Sequence, residues 1–158
     1  MSARHASRFG ARGFSLVELL VVLAVMGVLA VAAIPAFEVS AQRSRETELR
    51  RALWEIRDAI DAHKRAADAG QIVKVGEGYP TSLRALAEGV PGRAGDRRVF
   101  LRRVPRDPFA PAEWPAERTW KHRSYASTPH RPQAGDDVYD VSTMSDRLGL
   151  NGIPLAEW

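Results

Sequence analysis

From Phe14 to Phe37 the chain reads FSLVELLVVLAVMGVLAVAAIPAF, and the nineteen residues from Leu19 to Phe37 carry no charge. About 20 apolar residues in a helix cross a hydrocarbon core roughly 30 Å thick. The stretch therefore fits a membrane span, and any folded part of the chain must be attached to one end of it. A single acid, Glu18, stands near its start. A carboxylate well inside a bilayer costs on the order of 2.5–3.5 kcal/mol, so Glu18 needs either a place at the headgroup level or a partner of opposite charge. Pro35 is the second irregularity. Proline removes a backbone donor and crowds the carbonyl four residues earlier, at Val31, so a kink or the end of the span is expected there; neighbouring helices can accommodate such a kink in a membrane.

Residues 1–13, MSARHASRFGARG, are polar and basic and read as a removable leader. The 158-residue chain has 23 Lys and Arg against 19 Asp and Glu, a formal net charge of +4. Arg4, Arg8 and Arg12 lie in the leader, and without them the balance is 20 against 19. The basic excess thus reports topology more than a nucleic-acid partner: positive residues beside an apolar span stay cytoplasmic, which places the remainder across the membrane. There is no cysteine, so a domain in that oxidising location cannot be held by disulfides. Packing, hydrogen bonds or a metal ion must do so.

Downstream of Glu38 the pattern becomes amphipathic. Leu49, Leu53, Ile56, Ile60 and His63 recur at steps of three and four, and Ala52 and Ala59 widen the stripe. This predicts a helix to Ala69 with one buried face, stopped by Gly70. Charges at i,i+4 spacing, Glu46/Arg50, Arg57/Asp61 and Asp61/Arg65, are expected to solvate its other faces. A single helix over residues 14–69 would be roughly 84 Å long at about 1.5 Å per residue, a spine that is half anchor and half scaffold. After it, 81–88 predicts a short helix burying Leu83 and Leu86. Residues 89–98 read as a Gly/Arg-rich loop, and 120–126 and 137–141 as strands, the second with Tyr139 and Val141 to one side. One long helix followed by short strands and loops is an α+β arrangement.

The string Gly13-Phe14-Ser15-Leu16-Val17-Glu18-Leu19-Leu20 behind a basic leader resembles the class III signal of the type IV pilin and pseudopilin superfamily. The resemblance implies processing by a prepilin peptidase, which would cut between Gly13 and Phe14 and N-methylate Phe14. It leaves Glu18 at the fifth mature position and Pro35 at the twenty-second, as assembly residues. Further landmarks resemble the type II secretion protein G family of major pseudopilins: Gly78-Tyr79-Pro80-Thr81, Val104-Pro105-Arg106-Asp107-Pro108-Phe109, Tyr139-Asp140-Val141-Ser142 and Glu157-Trp158. The implied organisation is a cleaved leader at 1–13, a transmembrane and polymerisation helix at 14–37, and a periplasmic pilin-like domain at 38–158. The implied function is a structural subunit of a secretion pseudopilus in the inner membrane, single-pass, with its N-terminus cytoplasmic before processing. Its implied partners are copies of itself, the prepilin peptidase, minor pseudopilins and the inner-membrane platform. The alternatives are a type IV or competence pilin, disfavoured by the missing C-terminal cysteine pair, and a tethered periplasmic binding module that does not polymerise.

In the resembled family a loop near the C-terminus binds calcium through acidic side chains and carbonyls. Asp146 matches the first acidic position and is the candidate calcium ligand, but Leu148 to Leu155 contains no Asp or Glu. Hard cations seek several oxygens, so closure of this loop by packing of Leu148, Leu150, Ile153 and Trp158 is the stronger expectation. No catalytic constellation is visible: His5, His63, His122 and His130 fall on unrelated segments, no paired carboxylate or Gly-rich phosphate loop stands out, and His63 reads as a core histidine. Arg97, Arg98, Arg102, Arg103 and Arg106 form a basic run, normally a solvated face or a protein contact. It lacks the interleaved aromatics of a nucleic-acid surface.

Overall fold

The computed structural model of this chain describes residues 15–93, 95–128 and 130–158, with side chains outside 32–36. Its dominant element is helix α1, Leu16–Asp68, which is continuous in backbone through Pro35. The chain divides into two units, one ending at Ser40 and the other running Ala41–Trp158. α1 stops in a Schellman pattern, with the Gly70 N–H donating to the Ala67 carbonyl at 3.1 Å and the Gln71 N–H to that of Ala66 at 2.9 Å. Gly70 takes φ 68°, the left-handed conformation this ending requires.

The second unit is built on the apolar stripe of α1. Leu49, Leu53, Ile56 and Ile60 are buried against Leu83, Leu86, Leu101, Trp120, Val141 and Leu155. Helix α2, Leu83–Glu88, starts two residues later than expected because Ser82 caps it: its Oγ accepts the Ala85 N–H at 3.2 Å. Gly89, at φ 84°, ends it. Both predicted anchors, Leu83 and Leu86, are buried. The Leu86 carbonyl accepts the N–H groups of Phe100 and Leu101, each at 2.9 Å, tying the next segment to this short helix.

Two antiparallel pairs follow among the described residues. β1, Val90–Pro91, pairs with β2, Arg97–Arg98, so the segment expected to be a loop closes as a tight hairpin. β3, Trp120–Arg123, pairs with β4, Asp140–Thr143, in the register Trp120 opposite Thr143 and Arg123 opposite Asp140. The second strand lies further along the chain than predicted, and Tyr139 precedes it. On β4, Val141 and Thr143 are buried and Asp140 and Ser142 half-buried, the alternation of a one-sided sheet. The architecture is α+β.

Candidate processing and assembly site

In the first unit every described side chain from Ser15 to Val31 is exposed. A helix that is apolar on all faces is stable only when something apolar surrounds it, lipid or other helices. Among the described residues no helix is long and apolar enough to cross a membrane; the side chains of 32–36, inside the apolar run, lie outside that description. Glu18 occupies the first turn of α1 and is exposed. The Ser15 carbonyl accepts the Leu19 N–H at 3.1 Å, which starts the helix here. A carboxylate in a first turn faces the positive end of the helix dipole, so the one acid of the stretch stands where its charge is least costly to the helix. Gly13 and Phe14 lie outside the described residues. Pro35 is helical in backbone, and nothing in the fold stops α1 there.

The second unit brings the separated C-terminal landmarks together. Tyr79 packs edge-on against Tyr139 at 5.1 Å and stacks on Tyr125 at 5.3 Å between ring centroids. Asp107, only 1% exposed, accepts the Thr143 hydroxyl and the Phe109 N–H, and its own N–H donates to Thr119 Oγ1. Trp120 Nε1 donates to the Pro105 carbonyl at 2.8 Å. The 104–109 segment is therefore pinned to both strands of the β3–β4 pair. Arg57 reaches from α1 to Asp140 Oδ1 at 2.9 Å and to the carbonyls of Val141 at 3.1 Å and Trp158 at 2.9 Å.

The first unit is an apolar helix whose described side chains are exposed from Ser15 to Val31, and the second is a body packed on the apolar stripe formed by Leu49, Leu53, Ile56 and Ile60. Residues 8–34 match the prokaryotic N-terminal methylation motif. The motif covers the leader's end, the Gly13-Phe14 junction, Glu18 and most of the apolar run. A motif of this kind is the N-terminal signature of prepilin-like chains, which a prepilin peptidase processes. No curated protein and no solved structure matches the chain.

Asp146 is exposed, and among the described residues no three of His, Cys, Asp or Glu are grouped so as to hold a metal. Of the packing expected of the C-terminal loop, Trp158 does pack against the core, but Leu148, Leu150 and Ile153 are each more than two-fifths exposed, and Leu155 is the side chain that enters the core. The loop closes on itself through backbone bonds instead, Gly149 N–H to Ile153 O at 2.9 Å and Leu155 N–H to Arg147 O at 3.0 Å. Most of the basic run is likewise absorbed by the fold. Arg97 donates to the Glu88 carbonyl, Arg98 to Gln71 Oε1, and Arg106 to the carbonyls of Pro111 and Trp114. Arg102 and Arg103 line a groove of about 880 Å³ with Glu48, Arg51 and Glu55. His63 is a core residue: its Nδ1 lies 3.1 Å from the Gly78 carbonyl and its ring packs edge-on against Phe100.

The sequence reading missed the tertiary role of Glu46 and Arg57. Both were expected to form local pairs along the helix, and neither does so among the described ion pairs. Glu46 is 4% exposed, and its Oε1 accepts the Gln42 amide at 2.9 Å and the Leu150 N–H at 2.8 Å. The available signal was weak: an acid and an amide on the edge of an apolar stripe, facing a segment that has no charge of its own.

Proposed function

We propose that this chain is a major pseudopilin-type subunit, cut between Gly13 and Phe14, N-methylated on Phe14, and polymerised from the inner membrane into a short periplasmic filament that helps move folded proteins outward. The methylation-motif match over residues 8–34 carries the reading. The meeting of the 78–81, 104–109, 139–142 and 157–158 landmarks around α1 supports the protein G branch, as does the lack of cysteine. In the filament many copies of the apolar helix leave lipid for a shared helical core, where tight packing replaces lipid contact. Glu18 is the register device. Its carboxylate pairs with the new amine of Phe14 on a neighbouring copy, and a charge pair surrounded by apolar groups is satisfied at only one axial offset.

The deciding experiment follows the full chain in cells with its peptidase. Glu18→Ala should still insert and be cut, with a methylated Phe14 as the first residue by mass spectrometry, yet give no filaments on overexpression. A mature N-terminus elsewhere defeats the reading of the junction, and normal filaments from the variant defeat the role of Glu18. Genomic neighbours encoding a secretion ATPase and a secretin separate the pseudopilus from a pilus.

A further inference from the structure

The resemblance implies a calcium ion in the C-terminal loop, and the donor set of this chain does not fit one. A hard divalent cation takes six to eight oxygens, several of them anionic. Here the 148–155 segment has no carboxylate, Asp146 stands exposed beside it, and among the described residues no three of His, Cys, Asp or Glu are grouped to complete a site.

What the C-terminal segment does meet is a cation of the protein's own. The Arg57 guanidinium donates to one carboxylate oxygen, of Asp140, and to the main-chain oxygens of Val141 and Trp158. A side-chain carboxylate and main-chain oxygens are the kinds of ligand a calcium loop collects. Arg57 meets them with a planar fork of donors. Arg123 adds a second guanidinium on the other side of Asp140, 3.6 Å from Oδ2. About three to four turns further toward the N-terminus of α1, Glu46 and Gln42 take up two backbone groups of the loop itself: Glu46 Oε1 accepts the Leu150 N–H, and the Gln42 amide donates to the Leu148 carbonyl at 3.1 Å. The Arg50 guanidinium lies 4.1 Å over the Trp158 ring and covers the terminal residue.

We propose that Arg57, with Glu46 and Gln42, is a built-in replacement for the divalent cation, so that the C-terminal loop of this chain folds and stays closed without calcium. The comparison with a divalent cation rests on the pseudopilin reading, whereas closure of the loop without calcium concerns the fold of 41–158 alone.

The test uses the full chain in detergent, melted by calorimetry in millimolar calcium chloride and in EDTA, beside digestion by a carboxypeptidase under the same two conditions. Equal melting temperatures and equal protection of Trp158 are expected for the natural chain. Arg57→Gln should melt lower by about 5 °C or more and lose its C-terminal residues faster in either buffer, and Arg57→Lys should recover part of the loss. A calcium-dependent rise of several degrees in the natural chain, or rapid digestion in EDTA alone, overturns the proposal. Both of those readings come from the natural chain, so they decide the matter even if Arg57→Gln does not fold.

Discussion

Glu46 and Leu150 are 104 positions apart in the chain and joined by a 2.8 Å hydrogen bond from the Leu150 N–H to the Glu46 carboxylate. The acceptor is 4% exposed, so water does not replace the bond at the carboxylate without opening the loop. Glu46→Ala would strand the Leu150 N–H and the Gln42 amide together. A loss of about 1–3 kcal/mol is expected, read by denaturant melting, with faster hydrogen exchange at the Leu150 amide. Glu46→Gln keeps an oxygen acceptor and should lose less. Equal effects from the two variants would show that the carboxamide cannot make the bond.

Asp107 organises the turn between Val104 and Phe109. Removing its carboxylate leaves the buried Thr143 hydroxyl and the Phe109 N–H without an acceptor. Asp107→Ala should therefore cost about 3 kcal/mol or more, since each stranded buried donor costs roughly 1–3 kcal/mol. Thr143→Val takes one donor from the carboxylate and the acceptor from the Ser145 N–H but keeps the Phe109 bond, and it should cost less, a difference that urea melts of the two variants would resolve.

Gly149 leaves no room for a side chain. A Cβ there would come within 2.6 Å of both the Trp158 ring and Asn151 Oδ1. Gly149→Ala must displace the terminal tryptophan, at about 1–3 kcal/mol for an overpacked site. Resonances of the Trp158 ring should shift while those of Trp120 hold.

His63 and His122 are both held below the usual imidazole range by burial; for His63 the bond to the Gly78 carbonyl opposes this in part. The folded state thus resists protons that the unfolded chain accepts. Where the unfolded state binds more protons, stability rises with pH. The contribution of these two histidines is complete above the unfolded value near 6.5 and falls as pH drops from there toward their folded values. Melting temperature should decline from pH 8 to pH 5.5, and a His63→Gln, His122→Gln double variant should flatten that slope whatever its absolute stability.

Periodicity made the buried face of α1 legible: Leu49, Leu53, Ile56, Ile60 and His63 all lie in the core as their spacing required. Gly89 ends α2 where the 81–88 reading put its end, whereas the Ser82 cap starts the helix two residues later than that reading had it. The 90–98 hairpin was hidden because each strand is only two residues long and three of the four residues are a proline and two arginines, which do not signal a strand. Glu46 and Arg57 were misread for a related reason. A helix offers each of them a charged neighbour four residues away, whereas their actual partners are backbone groups and a carboxylate 83 to 104 positions downstream. Local patterns report which face is buried and say nothing of what a polar residue at its edge will find there. Residues 8–34 are the opposite case: they match a methylation motif as a linear pattern, and no fold is needed to recognise it.

The clasp from α1 to residues 140–158 also sets an order of events in time. Arg57 and Glu46 emerge from the ribosome long before their partners, and closing loops of 101 and 104 residues is entropically the last thing this unit can do. Until Leu150 and Trp158 arrive, the inward edge of the helix holds an unmet guanidinium and carboxylate. A chain broken off short therefore betrays itself by open charge on the helix that should be clasped, and completeness of synthesis becomes a condition of folding.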